Sequence, residues 1–440
     1  MDRPFEGRRL HFVGIGGAGM SGLALVSRVL GAEVTGSDQA DSSYCDRLRE
    51  AGIQPILGHD AANVPEGAEV VVSTAVPPDN PELKAAEGRV LHRGDLLGEV
   101  SRLKRAIAVG GTHGKTTTAS MAAHVLRECG RNPGFLIGGE LRSAGTNAGW
   151  GAGEWVVVEA DESDRSFLKL AREVAVVTNV ELDHHATYRS LGELEEAFDE
   201  FAAPAKLRVV GPDVDLPGAL DAVRFGLGEG DLHADELELL PLGSRFAVAG
   251  ARVELGVPGA HNVLNALAAL AACRAAGVEP REAGPALGSF GGAGRRFEDH
   301  GITPSGARVF DDYAHHPTEV AATLEAARNL APRRLVACFQ PHLYSRTAKL
   351  ARGFGQALSA ADLVAVLDVY PAREKPEDFP GVSGLRVAAA AADAADGRPV
   401  WWLPTLEEAE RRLREELREG DVLVTLGAGN VDELARRLAT

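Results

Sequence analysis

The sequence predicts an α/β protein of three domains: an N-terminal Rossmann-like unit, a central P-loop-type mononucleotide-binding unit and a C-terminal Rossmann-like unit. Three observations predict it. Residues 10–38 run as apolar strand, glycine loop, amphipathic stretch and second strand, the βαβ order of a doubly wound sheet. Residues 107–127 repeat the order, with a Gly-Lys-Thr-Thr loop between an apolar run and a helical stretch. Beyond residue 296, four apolar runs alternate with helical segments. These shifts put the boundaries at 1–105, 106–295 and 296–440, in keeping with a loose expectation of roughly 150 residues per domain.

Composition narrows the class. The chain of 440 residues has a formal net charge of −17, which disfavours a nucleic-acid binder with its basic face. Any anionic ligand must bind against that field, through locally placed Lys, Arg and backbone amides. Cys45, Cys129, Cys273 and Cys338 are scattered without a Cys-X-X-Cys pair, so neither a disulfide framework nor a cysteine zinc site is expected. The first residues are charged and lack an apolar signal core, and no run approaches the roughly 18 apolar residues of a membrane span. A cytoplasmic protein without membrane insertion is expected.

In the first segment, Leu10-His-Phe-Val13 is a strand and Gly14-Ile-Gly-Gly-Ala-Gly19 its glycine loop. Glu33-Val-Thr-Gly-Ser-Asp38 is the next strand, ending in an acid. Strand, G-X-G-X-X-G, helix, strand, acid is a dinucleotide fingerprint; it places a phosphorylated nucleotide at a helix N-terminus without saying which. Gly16, Gly17, Ala18 and Gly19 are its cradle. Open parallel sheets bind ligands at the carboxyl ends of their strands. Ser37, Asp38, Ser73, Thr74, His92 and Arg93 fall at such ends and outline one crevice.

In the middle segment, Gly111-Thr-His-Gly-Lys-Thr-Thr117 is a phosphate cradle: backbone N–H groups and the helix dipole meet the anion, Lys115 reaches the outer phosphates and Thr116 holds Mg²⁺. The eight-residue P-loop pattern asks for glycine where Val109 stands, so the match is to a shorter loop. Glu154-Trp-Val-Val-Val-Glu159 is a strand ending in carboxylates, where a P-loop protein keeps its Mg²⁺ partner; Glu159 and Asp161 are the candidates. A third strand ends at Asn179, Asp183, His184 and His185, and one of the histidines is read as a ligand. No H-E-X-X-H spacing occurs, which disfavours a zinc hydrolase. His261 and Asn262 open an Ala/Leu-rich helix; Asn262 either reads an adenine edge or caps the helix.

In the last segment, Gly291-Gly-Ala-Gly-Arg-Arg-Phe297 reads as a flexible hinge carrying two guanidiniums suited to phosphate. Val309-Phe-Asp-Asp-Tyr-Ala-His-His-Pro317 is a strand with a dense polar end. Residues 334–346, 362–370 and 421–430 repeat the design.

These motifs together resemble the Mur ligases, the ATP-dependent amide-forming enzymes of peptidoglycan synthesis. The resemblance runs nearly end to end: Gly14–Gly19, Gly111–Thr117, Glu159-Ala-Asp-Glu-Ser-Asp164, Thr178-Asn-Val-Glu-Leu-Asp-His184, His261-Asn-Val-Leu-Asn265, Gly294-Arg-Arg-Phe297, Asp311-Asp-Tyr-Ala-His-His-Pro317 and Phe339-Gln-Pro-His342. The loop with His113 is similar both to the member that attaches L-alanine and to the one that attaches a murein tripeptide, whereas the Glu159–Asp164 run looks more like the former. Val109 is in keeping with this family's short loop. Leu343 stands where several relatives carry Arg, and no lysine lies between His185 and Ala205, where sister ligases carry a carbamylated one. Glu195 or Glu196 is a candidate replacement.

The resemblance implies that the first domain binds UDP-N-acetylmuramate rather than NAD, the second binds ATP with Mg²⁺ (or Mn²⁺), and the third brings in L-alanine, with hinges near 105 and 295. It implies an acyl phosphate on the lactyl carboxylate, then attack by the alanine amine. Gly111, Thr112, His113, Gly114, Lys115, Thr116, Thr117, Asn262, Asn265, Arg295 and Asp312 would hold ATP, and His113 would also meet the sugar. Thr116, Glu159 and His184 would hold metal; His315, His342 and Arg346 would receive alanine. Lys115, Glu159, His184, His315 and Arg346 would carry the catalysis, in a monomer or weak homodimer. Competing readings are the ligase that attaches a preformed murein tripeptide, an NAD(P)-dependent oxidoreductase and a regulatory ATP-binding protein.

Overall fold

In a computed structural model, residues 3–439 are described. The chain folds as two compact units: residues 1–235, 248–252 and 264–290 make up the first, and 236–247, 253–263 and 291–440 the second.

The first unit begins with a parallel sheet of β1 (Arg9–Val13), β2 (Glu33–Asp38), β3 (Ile56–Leu57), β4 (Glu69–Val72) and β5 (Val90–His92) in the order β3-β2-β1-β4-β5. Helices α1 (Ala18–Val29), α2 (Ser43–Glu50), α3 (Pro81–Ala85) and α4 (Arg93–Ser101) connect or follow its strands. The order turns back at β1, so the loop after β1 opens at a topological switch point. Burial of Met20, Leu23, Ala24 and Val26 gives α1 its apolar face.

A second sheet carries β6 (Arg105–Gly110), β7 (Gly134–Leu141), β8 (Thr146–Trp150), β9 (Trp155–Glu159), β10 (Val174–Val177), β11 (Leu207–Val210) and β12 (Val223–Leu227). Their order is β12-β11-β10-β6-β9-β7-β8, parallel except for the β7–β8 pair. Strand β13 (Leu232–Leu240) pairs with β12, and β14 (Gly243–Val248) and β15 (Ala251–Leu255) follow, with residues in both units. The strands between 203 and 256, and β7 and β8, are not among those read from sequence, although Ala251–Leu255 alternates apolar and charged residues. Gly138 and Gly139 interrupt β7, and β11 is only four residues long, so neither shows a sustained apolar alternation.

Helix α5 (Lys115–Glu128) is buried from Thr116 to Leu126. Its Ala119, Ala122 and Ala123 present little bulk, as suits a helix buried on every side. Helix α6 (Leu191–Ala202) covers the core with Leu194, Phe198 and Phe201. Helices α7 (Ala260–Cys273) and α8 (Pro280–Gly288) complete the central elements.

Glycines bring α4 of the first sheet close to the strand-end segment after β9. A Cβ at Gly94 would collide with Ser166 Cβ, and one at Gly98 would lie 2.8 Å from the Lys169 carbonyl. Gly94→Ala is therefore expected to lower stability by about 1–3 kcal/mol, read as a fall in Tm. An unchanged Tm would show that this packing is slack.

The second unit holds β16 (Glu298–Ile302), β17 (Arg308–Asp312), β18 (Arg334–Phe339), β19 (Leu363–Val366), β20 (Val400–Trp402) and β21 (Asp421–Leu426), ordered β16-β17-β21-β18-β19-β20. The β16–β17 pair is antiparallel and the other pairs are parallel. Helices α9 (Pro317–Arg328), α10 (Tyr344–Leu358), α11 (Gly384–Ala394), α12 (Leu406–Glu416) and α13 (Asp432–Leu438) complete the unit. Buried clusters around Phe310, Phe339 and Phe354, and around Val309, Leu413 and Leu434, lie on its two faces. Six strands replace the four read from sequence: β16 is a polar, bulged edge, and β20, although apolar, has only three residues.

Candidate active site

The site begins where β6 ends at Gly110 and α5 starts at Lys115. Gly111 (φ +125°) and Gly114 (φ +80°) bracket the connection. Only glycine suits it: a Cβ at Gly111 would collide with the Thr178 hydroxyl and one at Gly114 with the Asn265 amide. Asn179, just beyond β10, braces the loop. The Thr112 N–H donates to the Asn179 carbonyl (3.1 Å), the His113 N–H to Asn179 Oδ1 (2.8 Å), and Asn179 Nδ2 back to the His113 carbonyl (3.0 Å).

Lys115, Thr116, Glu159 and His184 come together around this loop. The Thr116 hydroxyl donates to Glu159 Oε1 at 3.1 Å, and the Gly138 N–H donates to Glu159 Oε2 at 2.7 Å. Lys115 Nζ donates to the carbonyls of Gly111 (2.7 Å) and Thr112 (3.1 Å) and to Glu162 (3.0 Å). His184, at φ +50°, has Nε2 3.3 Å from Glu162 Oε1. Desolvation opposes the Lys115 charge, but Glu162, Asp161 and Glu159 outweigh it and raise its pKa. Desolvation likewise opposes ionisation of Asp161, yet Arg93, Lys115 and His184 hold its carboxyl well below the usual range. Glu162 is buried within the Glu159–Asp164 run and is a site residue that motif reading misses; its place in that acidic stretch is the available signal.

Around the first glycine loop, the Gly16 N–H donates to Asp38 Oδ2 at 2.8 Å, so this carboxylate braces the loop itself. Ser37 is fully buried, and its hydroxyl donates inward to Glu82 at 2.5 Å. His92 accepts from the Gly94 N–H (3.1 Å) at the start of α4. Arg93 donates to Asp161 at 2.7 Å. Ser73 is half-buried and Thr74 exposed at the end of β4. A cavity of about 200 Å³ is bordered by Ala18, Gly19 and Arg93 on one side and Gly138, Glu159 and Asp161 on the other. It runs from the first glycine motif to the Glu159 carboxylate that Thr116 bonds.

The second unit gathers the C-terminal candidates. Arg295 donates to Asp311 (2.9 Å) and to the carbonyls of Gly429 (2.8 Å) and Gly427 (2.7 Å), so its guanidinium ties the segment before β16 to residues beyond β21. The glycine-rich stretch before it, read as a flexible hinge, ends in this anchored arginine. Asp312 accepts from the N–H groups of Phe297 and Ala314, each at 2.8 Å. Burial pushes its carboxyl up to about 6. The His315 and His342 rings lie 6.3 Å apart edge to face, and Arg346 donates to His342 Nδ1 at 3.2 Å. Leu343, at φ +70°, is buried before α10. Asn262 donates to the Pro258 carbonyl at 2.7 Å, while Asn265 accepts from Thr118 at 3.2 Å in the first unit. Glu195 and Glu196 lie on α6, and the carboxylates of Glu162 and Asp183 lie 3.3 and 3.9 Å from His184 Nε2.

A short glycine loop at a helix start, with lysine and threonine directly after it and a strand-end carboxylate bonded to the threonine, defines a P-loop-type nucleotide-binding α/β protein. The chain matches the models of the Mur ligase family catalytic domain at residues 9–105, the Mur ligase middle domain at 109–273 and the Mur ligase glutamate ligase domain at 295–429. It belongs to the Mur ligase family. It is 45% identical to the UDP-N-acetylmuramate–L-alanine ligase of Rubrobacter xylanophilus, covering 98% of this chain and 99% of that one. Among solved structures it is similar to UDP-N-acetylmuramate–alanine ligase MurC of Thermotoga maritima, with a TM-score of 0.85 and 31% identity over 98% of both chains. A murein peptide ligase of Psychrobacter arcticus follows at a TM-score of 0.72 and 26% identity, again over 98% of both. Among the described residues, no helix is long and apolar enough to cross a membrane.

Proposed function

We propose that this chain joins L-alanine to the lactyl carboxylate of UDP-N-acetylmuramate, with ATP as the phosphoryl donor, in peptidoglycan synthesis. The observation that carries the reading is the cavity joining the N-terminal glycine loop to Glu159 beside Lys115 and Thr116, supported by full-length identity to L-alanine ligases. Residues 1–105 bind the sugar nucleotide, 106–295 bind ATP and 296–440 contribute to ATP and amino-acid binding. The protein acts in the cytoplasm as a monomer or weak homodimer.

The donor set fits a hard divalent cation: a hydroxyl and a carboxylate oxygen stand 3.1 Å apart at the head of α5. Thr116 and Glu159 would hold Mg²⁺, or Mn²⁺ in its place, with His184 near a second position; bound there, it would neutralise phosphate charge. The lactyl carboxylate oxygen attacks the γ-phosphorus and the bond to ADP breaks. Lys115 and the loop N–H groups stabilise the charge on the transferring phosphoryl. The alanine amine then attacks the acyl carbon, loses a proton, and phosphate leaves as the amide forms. Asn262, Asn265, Arg295 and Asp312 serve ATP. His315, His342 and Arg346 serve alanine, with the guanidinium pairing its carboxylate.

Phosphate release with ATP, Mg²⁺ and UDP-N-acetylmuramate, with L-alanine or a tripeptide in parallel, tests this. Release requiring both sugar nucleotide and L-alanine is expected. Release with the tripeptide alone would instead support the second reading, a murein peptide ligase.

Asp312 adds a pH prediction. Its folded-state pKa of about 6 lies above the ordinary 3.8. Its contribution to stability is therefore full below 3.8 and lost as pH rises through about 6. If its ionised form serves ATP, the KM for ATP should rise as pH falls below about 6, and Asp312→Asn should flatten that limb. An unchanged limb in the variant would remove Asp312 from the ATP site.

A further inference from the structure

Glu162 has no part in the reaction as written, yet it touches two residues that do. Its side chain is 1% exposed, with Lys115 Nζ at 3.0 Å and His184 Nε2 at 3.3 Å. The fully buried Tyr188 donates its hydroxyl to the Glu162 carbonyl at 2.8 Å and fixes the backbone there.

The lysine ammonium has three protons to donate. Here it meets the carbonyls of Gly111 and Thr112 and the carboxylate of Glu162. The lysine is thus folded back on its own loop, with its donors engaged. To reach a phosphate it must give up one of these acceptors, and Glu162 is the charged one among them. A bound triphosphate therefore competes with Glu162 for the same ammonium. Once the lysine leaves, Glu162 is a buried carboxylate with His184 beside it, and a buried anion without a cation is costly. A carboxylate oxygen and an imidazole nitrogen that close together are suitable donors for a divalent cation, which would restore the balance.

We propose that Glu162 parks Lys115 in the nucleotide-free protein and, when nucleotide draws the lysine away, forms a divalent-cation site with His184. Glu162 is then a positioning residue that makes nucleotide and cation binding cooperative. This rests on reading residues 111–117 as the ATP loop.

The test is equilibrium binding of a non-hydrolysable ATP analogue to the full chain, by calorimetry, in EDTA and across a Mg²⁺ series. In EDTA, Glu162→Gln should bind the analogue about tenfold tighter than the parent, because the lysine has lost its competitor. Its Mg²⁺-dependent gain in affinity should shrink about tenfold, since coupling is reciprocal. Glu162→Asp, which keeps the charge on a shorter stem, should retain part of that gain. Tm measurements establish that each variant is folded; if Glu162→Gln is not, Glu162→Asp carries the test, with both effects reduced in the same directions. Parental affinity in EDTA together with a parental Mg²⁺ response would overturn the proposal. Failure of the parent itself to bind the analogue would overturn the reading of the loop, and the proposal with it.

Discussion

Lys115→Ala is expected to lower ligation by about 10³-fold or more while leaving affinity for the sugar nucleotide unchanged. The chemistry brings a carboxylate against a triphosphate, two anions in one cleft. Lys115 is the loop cation nearest the acidic strand ends, and its charge is maintained despite its mostly buried position. The sugar nucleotide is assigned to the other glycine loop, braced by Asp38, which the substitution does not touch. The measurement is phosphate release alongside equilibrium binding of UDP-N-acetylmuramate. Turnover within tenfold of the parent would sink the assignment. Because the lysine also balances buried Glu162, Lys115→Ala should lose about 3 kcal/mol of stability, so Tm must be recorded beside the rate.

Glu159→Gln carries the second large effect. Both carboxylate oxygens are engaged, one by the Gly138 N–H and one by the Thr116 hydroxyl. Glutamine can keep the acceptor toward Gly138 but presents no anion, so packing is preserved while charge is lost. The Mg²⁺ concentration for half-maximal turnover is expected to rise about 10–100-fold, and kcat to fall about 10²-fold. Mg²⁺-dependent binding of the ATP analogue should weaken in parallel. A parental Mg²⁺ response would exclude Glu159 from the metal site.

Local chemistry made much of this protein legible before any tertiary structure. The glycine loops at 14–17 and 111–114 each lie between a strand and a helix, because adjacent residues alone decide where a positive φ and an apolar run can occur. Lys115 and Thr116 could be singled out for the same reason: a phosphate loop and its helix form one continuous stretch. The alternation of apolar runs after residue 296 announced the C-terminal sheet, and the family's motifs were readable along nearly the whole chain.

Other features depended on residues distant in sequence. The edge strand β16, Glu-Asp-His-Gly-Ile, is held by pairing with a stronger neighbour, not by its own composition. Arg295 reads in sequence as a phosphate-suited guanidinium on a flexible glycine-rich hinge, but carbonyls more than a hundred residues away anchor it. Ser37 and Asp38 are adjacent strand-end residues, yet strand alternation sends their side chains apart: one inward to Glu82, the other to the Gly16 N–H. Glu162 stands in a plain acidic run, and its meaning comes from β6, β9 and β10 lying side by side, which brings Lys115 and His184 to the same carboxylate. Sequence by itself determined the local backbone and the kinds of groups available; the tertiary structure decided which charges face one another, because Coulomb energies follow distance in space rather than along the chain.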